Sequence, residues 1–230
     1  MYLKWDEKTI ADFLDKNITA MYNDGYLFGR PHKGMMYQTR SVRIDLSKFE
    51  MSSENRRVLK KTEGLEISNY QLPITNYDWN IGKLAKDFYD TKFGKGTFSA
   101  NKVKEILTTD HNFNTLFVYS NENKLISNWK LLINEKTTVG FCIALETDKI
   151  VHYSYPFYQL PITNYYLPNV GMSMMLKTIL YAQKNNKQYI YIGSASRPTD
   201  IYKLQFKGLE WFDGEEWKDD LEELKKILQK

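Results

Sequence analysis

The sequence predicts an α/β (α+β) protein with a mixed sheet flanked by helices, and three observations carry that expectation. Four β-rich runs follow one another between Leu116 and Phe157, an apolar helical stripe runs from Met172 to Leu180, and an aromatic strand, Gln188 to Ile192, comes directly after it. Strand, helix, strand is the order of a βαβ unit. Residues 1–65 read as an N-terminal segment carrying a basic double-arginine element, and residues 66–230 as the main domain.

Phe13, Leu14 and Ile18 share a helical face, so a first helix is expected from about Thr9 to Met21 with Thr9 as its cap. Turn-forming clusters at Asn23-Asp24-Gly25, Gly29-Arg30-Pro31 and Lys33-Gly34 leave Tyr26 to Gln38 as loop and short strand. Val42, Ile44, Leu46 and Phe49 nearly alternate with polar residues, which predicts a strand over Ser41 to Phe49. Ser52-Ser53-Glu54-Asn55 supplies capping residues for a helix that carries Arg56, Arg57, Lys60 and Lys61 in its first turns. Helical spacing recurs at Ile81, Leu84, Ala85, Phe88 and Tyr89, and again at Val103, Ile106 and Leu107 beyond the Gly94-Lys95-Gly96 break.

The period then changes. Leu116 to Tyr119, Trp129 to Ile133, Thr138 to Leu145 and Ile150 to Phe157 are separated by polar turns and predict an antiparallel meander. Gly171 opens the helix of the βαβ unit, in which Met172, Met175, Leu176, Ile179 and Leu180 form one stripe. Beyond the next strand, Asp200 to Phe206 reads as a short helix, Leu209 to Phe212 as a strand and Leu221 to Leu228 as a terminal amphipathic helix.

Composition narrows the function classes. Of 230 residues, 42% are hydrophobic, which excludes a disordered chain, and seventeen tyrosines suit surfaces that are apolar on one side and hydrogen-bonding on the other. Apolar runs such as Ile143 to Leu145 are far shorter than a bilayer span, and Met1 is not followed by a signal-like segment, so the expectation is a soluble, cytoplasmic protein without membrane partners. The one cysteine, Cys142, offers neither a disulfide framework nor a thiolate metal site, and packing is its expected role. Net charge is +4, and the window from Arg40 to Lys61 alone has seven basic residues against three acids. Such local density suits a phosphate backbone, with an exposed charged helix start as the alternative. The octapeptide Tyr70 to Tyr77 recurs without change as Tyr158 to Tyr165, which is too few copies for a solenoid.

The order of elements from Ile150 to Phe206 resembles the GCN5-related N-acetyltransferase fold. There, two neighbouring strands diverge and the following helix points its unpaired N-terminal amides at the acyl donor. Acetyl-CoA users of that fold place a glycine-rich turn at the helix start. This chain has Pro168-Asn169-Val170-Gly171-Met172-Ser173, where Pro168 lacks an amide hydrogen and Ser173 adds bulk, so a pyrophosphate cradle is disfavoured.

More specific pieces follow in order: Gly25 to Pro31, Arg40-Ser41-Val42-Arg43-Ile44-Asp45, Phe49, Ser52 to Val58 with its double arginine, Ser154-Tyr155-Pro156-Phe157-Tyr158, Leu167 to Gly171, Tyr189 to Gly193, and Tyr202-Lys203-Leu204-Gln205-Phe206 with Glu210. Together they resemble the arginyl-tRNA-protein and leucyl-tRNA-protein transferases. That resemblance implies an aminoacyltransferase that uses aminoacyl-tRNA as co-substrate and an acceptor protein N-terminus as nucleophile, with no other cofactor. Two departures stand out. The cysteine cluster typical of the family is missing from Pro31 to Tyr37, so no metal or iron-sulfur site is expected, and Gln159-Leu160-Pro161 replaces the usual Asp-Pro after the tyrosine strand.

An aminoacyl ester is already activated, so transfer requires positioning, a neutral amine and oxyanion stabilisation. Arg56 and Arg57 are candidates for an anion contact, either the tRNA terminus or an acidic acceptor, with a solvated pair as the alternative. Lys203, beside Tyr202, is a candidate for a phosphate or carboxylate contact, against an ordinary surface lysine. Ser154, Tyr155 and Tyr158 are candidates for orienting amine or ester, against core packing. His152 is a candidate proton acceptor, although alternation puts it on the face opposite Tyr155. Gly171 marks the helix start, and Ser194, Ser196 and Asp200 either hold the ribose end or cap the next helix. No Ser-His-Asp set or paired-carboxylate spacing points to a hydrolase. An acyl-CoA-dependent N-acyltransferase and a tRNA-binding module without activity are the competing readings.

Overall fold

Residues 3–121, 132–133, 136–160 and 169–229 are described by the computed structural model. In chain order the strands are β1 (Asp6–Thr9), β2 (Tyr26–Phe28), β3 (Met35–Gln38), β4 (Ser41–Asp45), β5 (Leu65–Gln71), β6 (Thr115–Asn121), β7 (Leu132–Ile133), β8 (Lys136–Glu146), β9 (Ile150–Tyr158), β10 (Tyr189–Ser194), β11 (Leu209–Phe212) and β12 (Trp217–Lys218). The helices are α1 (Asp15–Asn23), α2 (Ser53–Lys61), α3 (Trp79–Phe93), α4 (Ala100–Thr108), α5 (Val170–Lys184) and α6 (Leu221–Leu228), with a 3-10 segment at Pro198–Gln205. This is the mixed α/β class expected from the sequence. The chain divides into two compact units, and β8, β9 and α5 each contribute residues to both.

The first unit comprises Met1–Ser53, Leu145–Ser154 and Ile179–Lys230. Its main ladder runs β12-β11-β4-β10-β9, in which β10 pairs parallel with β9 and the other pairs are antiparallel. Parallel pairing follows from the helical crossover through α5. β4 is buried on both faces, Val42, Arg43 and Ile44 alike, although its sequence alternates polar with apolar residues, and it ends at Asp45, short of the expected Phe49. Arg43 is accommodated there by Glu210, whose Oε2 accepts from Nε at 2.9 Å, and by the rings of Tyr189 and Trp217, each 3.9 Å from the guanidinium carbon. A small antiparallel sheet, β1-β3-β2, completes the unit.

Thr9 is not a helix cap. It pairs with Met35 in β1, and α1 begins only at Asp15, because the Asp12 carboxylate takes the Leu14 amide at 2.9 Å and closes a turn first. The loop-and-strand expectation for Tyr26 to Gln38 resolves into the hairpin β2–β3.

The second unit comprises Glu54–Ala144 and Tyr155–Thr178. Its antiparallel ladder is β5-β6-β8, with β7 on β8. Trp129 to Leu131, the first part of the second expected strand run, and Pro161 to Tyr165, the end of the second octapeptide, lie outside the described residues. Phe117, Phe141 and Phe157 are fully buried in this unit, and the hydroxyls of Tyr119 and Thr178 bond each other within it. Cys142 is a buried free thiol, in keeping with packing. Ser173 does not thicken the helix entrance: its hydroxyl is fully buried and bonds Thr62 Oγ1 at 2.6 Å.

Gly140 sets how closely β8 and β9 approach in the second unit. A Cβ there would sit 2.7 Å from Tyr158 Cβ and 2.8 Å from the Phe157 carbonyl oxygen, and neither is the flexible end of a side chain. Gly140→Ala is therefore expected to lower stability by about 1–3 kcal/mol. An unchanged urea midpoint would show that the strand can move aside.

Charge is divided unevenly. The second unit has fourteen basic and ten acidic side chains and the first has eighteen of each, so the whole net +4 belongs to the second. The Arg40 to Lys61 window does not act as one patch, because Arg43 is buried and Lys48, though exposed, bonds Glu210 at 3.1 Å, whereas Arg56, Arg57, Lys60 and Lys61 are all exposed on α2.

Candidate active site

The parallel ladder between β9 and β10 is short. It pairs Ile150 with Tyr189, Val151 with Ile190 and His152 with Tyr191, and ends there. Within the first unit, Tyr153 and Ser154 thus run on without a ladder partner in Ile192, Gly193 or Ser194. Gly193 has φ +83°, a conformation that L side chains seldom adopt, and a Cβ at that position would lie 3.7 Å from Lys203 Nζ. That is an ordinary van der Waals distance, so the glycine answers to the backbone turn and not to the bulk of the lysine.

Lys203 comes from the 3-10 segment and is 6% exposed. Its Nζ donates to the Ser194 carbonyl oxygen at 2.7 Å, and Asp200 Oδ1 lies 3.8 Å away. Burial lowers its pKa from the ordinary lysine value; Asp200 opposes that shift and Arg197 adds to it. Asp200 performs the capping role: its Oδ2 accepts from the Ser196 and Arg197 amides at 2.9 Å each. Ser194 is buried, and its hydroxyl accepts from Ser196 Oγ at 3.4 Å. Tyr202 is exposed on the same segment, its ring 5.9 Å from Lys203 Nζ.

His152 is 3% exposed, and its Nδ1 lies 2.8 Å from Tyr22 Oη. Tyr22 Oη also accepts from the Phe28 amide at 3.4 Å, which ties the imidazole and the end of β2 to the same hydroxyl. Burial, and secondarily the charge of Lys203, lower the His152 pKa to about 3. A neutral, buried imidazole of that basicity does not hold a proton at neutral pH. Its position at the last rung of the ladder instead fastens β9 to α1.

Three of the sequence candidates, His152, Ser194 and Lys203, come together in the first unit, with Ser154 half-buried on β9 and Tyr202 at the surface. The others belong to the second unit. Arg56 and Arg57 are exposed on α2, and Arg57 pairs with Glu54 at 3.2 Å, a weak surface bond. Tyr155 packs edge-on to Phe98 and Phe113, both at 5.3 Å. Tyr158 packs on Phe88, and its ring covers Gly171, where a Cβ would come within 2.9 Å. Pro168 and Leu167 lie outside the described residues.

Sequence reasoning did not single out Tyr22 or Arg40. Tyr22 is indistinguishable from an ordinary apolar helix residue until its partner, 130 residues away, is known. Arg40 stood in the family-like run. Its Nη1 donates to the Ala195 carbonyl oxygen at 3.3 Å, while Nε is buried with no hydrogen-bond partner among the described residues, and burial lowers its pKa.

Fold and site together define a mixed α/β protein with a buried lysine at the end of a short parallel ladder. No protein-family model matches the chain, and no curated protein does. Among solved structures it is similar to L-PGS from Bacillus licheniformis, at 12% identity and a TM-score of 0.45 over 77% of this chain and 49% of that one. FemX is similar at 11% identity and a TM-score of 0.45, over 77% of this chain and 59% of that one. A GCN5-related glucosamine N-acetyltransferase region of a fungal multi-domain GH3 beta-N-acetylglucosaminidase matches at 7% identity and a TM-score of 0.44, over 89% and 22%. The chain spans about half the length of the first and about three fifths of the second. At these scores the likeness carries no argument about activity. Among the described residues no helix is long and apolar enough to cross a membrane, and no cluster of His, Cys, Asp or Glu could hold a metal ion.

Proposed function

We propose that the protein is an aminoacyltransferase that moves an amino acid, arginine or leucine, from aminoacyl-tRNA to the N-terminal amine of an acceptor protein, marking it for degradation. The observation that carries this reading is the ordered set of family-like residues that includes Lys203, together with the burial of Lys203 where the β9–β10 ladder stops. In the reaction the acceptor nitrogen attacks the ester carbonyl carbon, a C–N bond forms, the bond to the terminal ribose oxygen breaks, and that oxygen takes the proton the amine gives up. Positioning and charge stabilisation suffice for such an ester.

Lys203 is held by the Ser194 carbonyl oxygen with N–H donors to spare, and in this reading it offers one to the ester carbonyl or the terminal phosphate. Ser194 and Ser196 face the ribose end. In this reading Arg56 and Arg57 meet phosphate or an acidic acceptor, and Ser154, half-buried on β9 in the same unit as Lys203, orients the amine, whereas Tyr155, Tyr158 and Gly171 are engaged in packing within the second unit. His152 serves this reading as a positioning residue, since its low basicity unsuits it as a proton acceptor at neutral pH.

The test is a transfer assay with arginyl-, leucyl- and other aminoacyl-tRNAs and peptides beginning with Asp, Glu, Lys or Arg. Product from a charged tRNA supports the reading, and product only from an acyl-CoA, or none, overturns it. Lys203→Met is expected to lower kcat/KM for transfer about 100-fold. The same variant should keep the thermal midpoint, because it removes a buried charge as well as one hydrogen bond. Full activity in Lys203→Met would take Lys203 out of the site.

A further inference from the structure

The proposed reaction leaves one sequence feature unused, the octapeptide Tyr70 to Tyr77. Its last residues, Thr75, Asn76 and Tyr77, form one wall of an open groove of about 960 Å³ within the second unit. The start of α3 supplies Asp78, Trp79 and Lys83, and the start of α4 supplies Ala100, Asn101 and Lys104. The wall is fixed in place. Ile74 N donates to the Leu107 carbonyl oxygen at 2.8 Å, and Tyr77 Oη accepts the Gly82 amide of α3, an approach that only a glycine permits.

Trp79 is 65% exposed, the most exposed large hydrophobic side chain among the described residues. An indole of that size left in water has a face to offer, and it stands in a groove rather than on a convex surface. Beside it, Lys104 has no ion pair or hydrogen bond for its ammonium among the described residues, and Lys83 has a surface pair with Asp87 at 2.6 Å, which exchanges readily. The one carboxylate in the lining, Asp78, is engaged as the cap of α3, its Oδ1 accepting from Asn80 N at 2.8 Å. Asn76 and Asn101 bring amides, which both donate and accept.

An aromatic face, exposed ammonium groups and donor-acceptor amides are the requirements of unstacked nucleotides: base on ring, phosphate on lysine, base edge on amide. The unit that contains the groove also holds the entire net positive charge of the chain. We infer that this groove binds unpaired nucleotides of an RNA, with one base stacked on Trp79 and the adjoining phosphates on Lys104 and Lys83. The inference rests on the proposed function for the RNA's identity as a tRNA, and makes the octapeptide part of a second RNA contact apart from Lys203.

Fluorescence anisotropy of labelled uncharged tRNA, and of a labelled single-stranded RNA octamer, against the full chain tests it. Trp79→Ala and Lys104→Glu are each expected to weaken both ligands about tenfold. Trp79→Phe should recover most of the loss, and Lys104→Glu should also reduce the salt dependence of binding. Trp79 and Lys104 are surface residues, so circular dichroism of these variants should match the parent. Lys95→Ala, outside the lining, serves as the unchanged control. Equal affinity in all variants, or an acidic peptide that binds the groove when the octamer does not, would overturn the inference. Tight binding that depends on Trp79 without transfer from any aminoacyl-tRNA would sustain the groove and remove the proposed reaction; transfer with unaltered tRNA affinity in both variants would do the reverse.

Discussion

Glu210→Ala is expected to lower the folding free energy by about 3–5 kcal/mol, because it strands the buried Arg43 guanidinium. Arg43 is 7% exposed and sits in β4, and Glu210 on β11 is its carboxylate partner at 2.9 Å. Asn23 Oδ1 at 3.1 Å and the rings of Tyr189 and Trp217 remain in the variant, but none carries a full negative charge. The cation would then be solvated by dipoles and ring faces alone, which places the loss toward the lower end of the range. Lys48 loses a partner as well, at little cost, since it is more than half exposed and also pairs with Asp45 at 3.4 Å. The measurement is urea unfolding of Glu210→Ala, Arg43→Met and the double variant. The double variant should be more stable than Glu210→Ala, because no buried charge is left unpaired. A loss below about 0.5 kcal/mol in Glu210→Ala, the size of an ordinary surface change, would mean that the pair is solvated.

Acidification should unfold the protein in a manner that depends on His152. Its pKa is about 3 in the folded chain against 6.5 for the free side chain. The unfolded state therefore binds a proton that the folded state refuses between those two values. Stability from this group is complete above pH 6.5 and is lost as pH falls toward about 3, at about 1.4 kcal/mol per unit. The total is on the order of 5 kcal/mol at the acid end. His152→Gln keeps a hydrogen-bonding side chain near Tyr22 and removes the titration. At pH 7 it should be the less stable chain by about 1 kcal/mol, from a poorer bond to Tyr22, and near pH 4 the order should reverse. Unfolding free energies of the two chains from pH 7 to pH 4 decide the matter. A constant difference across that range would mean that the imidazole is reached by water in the folded state.

Much of the architecture was legible because it rests on local periodicity. Ile81 to Tyr89 and Val103 to Leu107 announced α3 and α4, and the stripe from Met172 to Leu180 announced α5 between strands that became the parallel pair β9 and β10. β5 was not foreseen: Leu65 to Gln71 is largely polar, with one fully buried residue, and it is a strand because β6 supplies its hydrogen-bond partners. The same holds for Thr9, whose capping side chain was overruled by pairing with Met35. Of the candidate site, Lys203 and Ser194 could be named from the strand and helix that carry them, but nothing local distinguished the buried Lys203 from the exposed lysines of α2.

By itself, the sequence determined the class of fold, the helices and strands with a clear period, and the ordered residues that resemble tRNA-dependent transferases. Only the tertiary structure decided that Arg43 is buried against Glu210, that His152 is neutral beside Tyr22, and that Trp79 and Lys104 share a groove. The physical reason is range. Periodicity is written in neighbouring residues, whereas burial and charge state depend on partners such as Tyr22 and His152, 130 positions apart, that meet only when the chain is folded.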